Sequence, residues 1–450
     1  MTTTSHQDPV PVPVPATYYQ RDWFSACQDA KSFYSTPVAW QLSGALDVDL
    51  LAGVLEDLML RHAALRTAFR ARGDDVDQLV WPRVQIDLRQ VDLSQDPDPA
   101  EAARTRIVAE ADRDRRLDIP PLWHGLVLRL AADQHVLALF IHHLVFDGWS
   151  HGILHDELVR CYRASKSGRA PRLPSLPAQL GDFAMVQRNH RDPQAEQWWR
   201  NQLHALPPLA PIPPIGGRFI SQPIPAISGI NAGSLTQLAS DQGVSAGTAL
   251  LAILAAARQP LVGDDLLIGV TRAGRDRPRS QRIVGPLLDH LPVRIDLSGR
   301  PGLPALLGRV HRAYREAIAH QLPLGLIRQV APLDLSARGG RLHDIRFNYL
   351  PPTGGGRGAA SSRSGELQIA DWPMEPTRLA PRHTEDHPEV LPLSYVIRHG
   401  IDGELRGEIC AHDQLHSRAQ LAELADSFSI VATRLVAELG EQPALSADVA

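Results

Sequence analysis

The chain has 450 residues, 44% of them hydrophobic and 21% charged, with a formal net charge of −4. That length favours two ordinary cores over one, and that charge gives no electrostatic reason for a nucleic acid partner. No apolar run approaches the roughly 20 residues of a membrane-spanning helix, so a soluble, cytoplasmic protein without a membrane partner is expected. The opening MTTTSHQDPVPVPVPA has no basic region followed by an apolar core, so no secretory signal is expected. Its alternating prolines predict a stiff polyproline arm over residues 1–15. Cys27, Cys161 and Cys410 are far apart and odd in number, against both a disulfide framework and a zinc site.

LDVDLLAGVLEDLMLRHAALRTAF (46–69) opens with capping-type aspartates, and Leu51, Val54, Leu55 and Leu58 follow at helical spacing, which predicts an amphipathic helix. QLVWPRVQIDLRQVDL (78–93) reads as extended strand interrupted by Pro82. A helix over 100–116, a strand over 122–130, a second strand over 135–143 and a helix from Gly148 to about Ser165 come next. The proline-rich 206–228 predicts an inter-lobe or surface connection. The second half repeats the mixture: helices over 245–258, 303–320 and 415–439, and strands over 265–271, 345–350 and 405–411. TGGGRGAASSRSG (353–365) reads as a flexible loop. Alternation in both halves predicts an α/β protein of two lobes.

HVLALFIHHLVFDGWSHG (135–152) carries the chemistry-bearing residues. Alternation puts Leu137, Leu139, Ile141 and His143 on one face and Val136, Ala138, Phe140 and His142 on the other. Both faces are apolar, so the strand is central and buried. Adjacent histidines there cannot converge on one cavity, so no metal is expected; one faces a site and the other is structural. The strand end, the turn and the helix start offer a proton acceptor beside helix N-terminal amides. The competing reading is a serine elbow, since GWSHG fits G-x-S-x-G. HLVFD intervenes between strand and glycine, no HGGG-like stretch supplies an oxyanion hole, and Ser150 is at home in a first helical turn.

IHHLVFDGWS (141–150) resembles the HHxxxDG motif of condensation domains, the peptide-bond-forming units of nonribosomal peptide synthetases. Others follow in family order: ATYYQRDWF (16–24), keeping Gln20, Arg21 and Trp23; RHAALRTAF (61–69); GDFAMVQR (181–188) with QWWRNQL (197–203); IGVTRAGRDR (268–277); IVGPLLDHLPVRIDL (283–297); AHQLPLGLI (319–327); and IRFNYLP (345–351). The resemblance covers nearly the whole chain. It implies two chloramphenicol acetyltransferase-like lobes in a V-shaped pseudodimer with an active-site tunnel between them. The lobes are placed at 16–178, with HHxxxDG, and 179–450. It also implies His143 as the catalytic histidine, His142 as its structural neighbour and Gly148 as the backbone N–H donor at the reacting carbonyl. Asp147 becomes half of a structural ion pair, for which Arg66 is the expected partner. The VGPLLDHLPVR stretch departs from the family's VGxFVNT, so Asp289 and His290, with Trp149 and Asn348, are candidates for the tunnel or acceptor pocket. The alternative for His290 is an exposed loop histidine.

The implied reaction transfers an acyl or aminoacyl group from the phosphopantetheine thioester of an acyl or peptidyl carrier protein to an amine or hydroxyl. The acceptor is a small molecule or is itself carrier-bound. No tightly bound cofactor is expected, and the absence of adenylation, carrier and thioesterase segments predicts a free-standing monomer that meets its carrier in trans. Two alternatives are an HHxxxDG acyltransferase using acyl-CoA, since PPLWHG (120–125) resembles the PLW element of that group, and a non-catalytic docking module.

Overall fold

A computed structural model describes residues 10–28, 35–111, 113, 116–206, 209, 219–226, 231–335, 338, 341–351, 367–372, 393–399 and 403–440. In chain order the elements are β1 (Val12–Pro15), α1 (Tyr18–Gln28), β2 (Ser35–Ser43), α2 (Val48–Arg61), β3 (Thr67–Arg72), β4 (Asp75–Val80), β5 (Leu88–Asp92), α3 (Pro99–Ala111), β6 (Trp123–Ala131) and β7 (Gln134–His142). Next are α4 (Gly148–Lys166), α5 (Leu180–Asn189), α6 (Pro193–Gln202), β8 (Phe219–Ile224), α7 (Ala232–Asp241), α8 (Ala246–Arg258), β9 (Asp265–Arg272) and β10 (Asp289–Asp296). The chain closes with α9 (Leu303–Ala319), α10 (Leu324–Val330), β11 (Ile345–Leu350), β12 (Gln368–Asp371), β13 (Leu393–His399), β14 (Leu405–His412) and α11 (Arg418–Gly440).

The chain divides into two compact units that are interleaved in sequence. The first holds the chain up to His190, together with residues 273–288, which connect β9 to β10, and the described residues 367–372. The second holds the remaining described segments from Arg191 onward.

The first unit has a five-stranded sheet of order β12-β2-β7-β6-β5 and a three-stranded sheet of order β1-β4-β3. β7 is the central strand of the larger sheet, and its alternation falls as the sequence predicts. Leu137, Leu139 and Ile141 enter a large core with residues of α1, α2 and α4. Val136, Ala138 and Phe140 enter a smaller core with Ala103 and Ile107 of α3 and with Trp372. α2 starts where Asp47 accepts the Leu50 N–H at 3.0 Å, and it buries Leu51, Val54, Leu55, Leu58 and Met59.

Three sequence expectations change. The helical pattern expected over 46–69 stops at Arg61; a 3-10 turn (Ala63–Arg66) leads into β3, because pairing of Thr67–Arg72 with β4 overrides local propensity. The proline arm is an edge strand where it is described: Val12–Pro15 pairs antiparallel with β4. The Ala16 N–H reaches the Val76 carbonyl at 2.9 Å, so alternation turns the N–H groups of Val14 and Val12 inward and the donorless nitrogens of Pro13 and Pro15 outward. Within the proline-rich 206–228, Phe219–Ile224 is a strand rather than a connection, pairing with β14 at the sheet edge. The glycine-rich 353–365 lies outside the described residues.

The second unit is a six-stranded sheet of order β10-β9-β11-β13-β14-β8, in which β11 runs parallel to both β9 and β13. Ser245 caps α8, which buries an unbroken run from Thr248 to Ala255, as its composition demands. No single described helix is long and apolar enough to cross a membrane, and no described group of three or more His, Cys, Asp or Glu residues could hold a metal. Burial pushes the thiols of Cys161 and Cys410 up to about 11, which makes both poor nucleophiles.

Candidate active site

His142 ends β7 and is fully buried. Its N–H donates to the Leu122 carbonyl at 2.9 Å, and its ring Nδ1 accepts the Leu144 N–H at 3.1 Å. That acceptor role places the proton of the neutral ring on Nε2. His143 begins the turn and is half-buried, with its ring centroid 5.9 Å from that of Trp23 on α1. Trp23 belongs to the large core, the side to which strand alternation assigns His143. Leu144, Val145 and Phe146 are fully buried, and the turn closes with the Val145 N–H on the His142 carbonyl at 3.0 Å.

Asp147 is the N-cap of α4 and is the hub of the turn. Its Oδ1 accepts from the Ser150 N–H at 2.8 Å and from the Ser150 hydroxyl at 2.6 Å. Arg275 Nη2 reaches Oδ1 at 2.9 Å and Oδ2 at 2.8 Å, and the Leu287 N–H reaches Oδ2 at 3.2 Å. Arg275 also donates to the carbonyls of Ser280, Ile283 and Gly285. Both ends of the pair are buried, and burial lowers the Arg275 pKa while the Asp147 charge opposes the shift. The partner of Asp147 is therefore Arg275 and not Arg66. Arg66 sits at the end of the 3-10 turn and donates Nη1 to the Trp81 carbonyl; burial lowers its pKa.

Ser150 is fully buried. Its hydroxyl donates to Asp147 and accepts the Gly285 N–H at 3.0 Å, and its further contacts are Arg275 Nη2 and the Gly285 carbonyl. None of these partners is a histidine, so the arrangement gives no activated serine. Gly148 and Trp149, by contrast, are exposed. A Cβ added to Gly148 would meet no atom within 4 Å, so the chain's own packing does not require glycine there. Trp149 donates Nε1 to the Gln281 carbonyl at 3.0 Å and lies under the Arg275 guanidinium, whose Cζ is 5.8 Å from the ring.

The Arg61–His62 pair steadies α4 from the side. Fully buried Glu157 accepts from His62 Nε2 at 2.7 Å and from Arg61 Nε at 2.9 Å. Burial pushes the Glu157 pKa up, but these hydrogen bonds and charges outweigh it and the net shift is downward.

The remaining sequence candidates lie in the second unit. Asp289 Oδ2 accepts the N–H of Leu324, the first residue of α10, at 2.9 Å. His290 is a buried strand residue of β10 with Nδ1 3.1 Å from the Thr271 hydroxyl, so it is not an exposed loop histidine. Pairing with β9 along its whole length is what carries it into the sheet. Asn348 is half-buried on β11 opposite Val396. The structure thus brings His143, Asp147, Gly148 and Trp149 onto one turn and helix start. Sequence reasoning missed Arg275, although IGVTRAGRDR contains it: nothing local ties it to a carboxylate 128 positions away.

Residues 13–444 match the Condensation domain family. A linear gramicidin synthase of Brevibacillus parabrevis is 32% identical over 322 residues, covering 67% of this chain and 6% of that protein. Phosphinothricin tripeptide synthetase PhsB of Streptomyces viridochromogenes is 34% identical over 339 residues, covering 71% of this chain and 28% of that protein. The chain therefore spans under a third of the length of either relative. Among solved structures, the epimerization domain from the third module of tyrocidine synthetase B matches with a TM-score of 0.78 at 18% identity, over 97% of this chain and 99% of that one. The X-domain from teicoplanin biosynthesis matches with a TM-score of 0.75 at 22% identity, over 98% of this chain and 99% of that one. The fold is the two-lobe, chloramphenicol acetyltransferase-like α/β fold. The chain belongs to the condensation-domain family of nonribosomal peptide synthetases.

Proposed function

We propose that the chain transfers an acyl or aminoacyl group from a carrier-protein thioester to an amine or hydroxyl acceptor, with His143 as the proton acceptor. The acceptor attacks the thioester carbonyl, and a C–N or C–O bond forms as its proton passes to His143. The C–S bond then breaks, and the departing thiolate takes the proton from His143. The Gly148 N–H, at the positive end of the α4 dipole, faces the developing oxyanion. General-base help of this kind contributes on the order of 10²–10⁴-fold, and positioning contributes at least as much. The phosphopantetheine arm belongs to the substrate, presented by an acyl or peptidyl carrier in trans.

The observation that supports this reading most is the contrast between the two histidines. His142 is fully buried with Nδ1 accepting the Leu144 N–H, whereas half-buried His143 follows it at the strand end. Asp147, saturated by Arg275, Ser150 and Leu287, acts on the turn's shape rather than on the proton.

The test is transfer from an acyl-loaded carrier to a panel of amines and alcohols, with acyl-CoA as a parallel donor. Turnover with the loaded carrier supports the proposal. Turnover with acyl-CoA alone assigns the acyl-CoA reading, and no transfer in a single turnover from any donor assigns a docking role.

A further inference from the structure

Helix α1 opens with a capping box: the Thr17 N–H donates to Gln20 Oε1 at 3.0 Å, and the Gln20 N–H donates to the Thr17 hydroxyl at 3.0 Å. Either Glu or Gln serves that motif, and both are at home on a surface. Gln20 is instead fully buried, and its amide nitrogen, which the cap leaves unused, donates to the Leu144 carbonyl at 2.7 Å and approaches Gln78 Oε1 at 3.4 Å.

Leu144 follows His143. The backbone around His143 is therefore held at the His142 N–H by Leu122, at the His142 carbonyl by the Val145 N–H, at the Leu144 N–H by the His142 ring, and at the Leu144 carbonyl by Gln20. Of these four restraints, Gln20 alone comes from a side chain outside the turn. One helical turn on from Gln20, Trp23 sets its ring beside that of His143. We propose that Gln20 is a positioning residue, whose amide donor fixes the Leu144 carbonyl and so sets the backbone from which His143 projects. The inference rests on the reading of His143 as the proton acceptor.

The first variant is Gln20→Glu, which keeps the size and the acceptor for the Thr17 N–H and, once its carboxyl is ionised, has no donor for Leu144, so its kcat is read across pH up to the alkaline limb. Gln20→Met removes both, and it supplies the measurement should the first variant not fold. Rates are taken per folded molecule, well below each thermal midpoint, beside Gln179→Met, which loses a comparable clamp on the Arg61 carbonyl and the Ala63 N–H. The Gln20 variants are expected to lose about 10–100-fold in kcat, the scale for a small misplacement of a reacting group, with KM nearly unchanged. Gln179→Met is expected to keep kcat. The His143 ring Cε1–H resonance should shift in Gln20→Glu while that of His62 stays. Wild-type kcat in the Gln20 variants overturns the proposal. His143→Ala in the same series separates the two claims: wild-type turnover there removes the His143 reading itself, whereas loss there with normal Gln20 variants removes only the positioning role.

Discussion

Arg275 Nη2 lies 2.9 and 2.8 Å from the two carboxylate oxygens of Asp147, across 128 positions of sequence and with both side chains buried. Removing one member of such a pair leaves an uncompensated charge in the core. Arg275→Met should therefore cost about 3–5 kcal/mol, and adding Asp147→Asn should recover part of it. Urea unfolding of the single and double variants measures this, with Arg66→Ala as a comparison that leaves Asp147 paired. Equal losses in Arg66→Ala and Arg275→Met would contradict the assignment.

Ser150 joins Asp147 to Gly285 through one hydroxyl. Ser150→Ala leaves a buried carboxylate and a buried amide each short of a partner, so it should lower stability by about 1–3 kcal/mol. Activity per folded molecule should persist. Abolished chemistry in a folded Ser150→Ala protein would revive the serine reading.

Gly148 stands in open space at the start of α4. Gly148→Ala should fold with unchanged or slightly raised stability, since alanine suits a helix better. If a substrate carbonyl approaches that backbone, kcat/KM should nevertheless fall about 10–100-fold. Thermal midpoint and kcat/KM measured together separate the two effects, and wild-type turnover would place the carbonyl elsewhere.

Glu157 has a lowered pKa in the fold, so the unfolded chain binds the proton more readily. Its contribution to stability is complete above the unfolded value of about 4.3 and is lost as pH falls from there through the folded value. Thermal midpoints of wild type and Glu157→Gln should differ most near neutrality and converge toward acid. A constant gap across that range would show that the His62 and Arg61 contacts carry no proton linkage.

The sequence made legible whatever depends on near neighbours. Period-two alternation assigned Leu137, Leu139 and Ile141 to one core and Val136, Ala138 and Phe140 to the other, and Asp47 marked the start of α2. What it left hidden depends on distant partners. Alternating prolines satisfy a polyproline arm and an edge strand alike until β4 lies beside them. His290 reads as a loop residue until β9 pairs with it, and Arg275 is one arginine among many until Asp147 faces it. The local motif named the turn, while tertiary structure supplied what holds it.

The central claim is that His143 accepts the proton of the acceptor nucleophile. The most direct measurement is single-turnover transfer from an acyl-loaded carrier protein, comparing wild type, His143→Ala and Ser150→Ala at equal folded concentration. The account predicts a loss of about 10²–10⁴-fold in His143→Ala and near-wild-type rates in Ser150→Ala. Wild-type transfer by His143→Ala would contradict it.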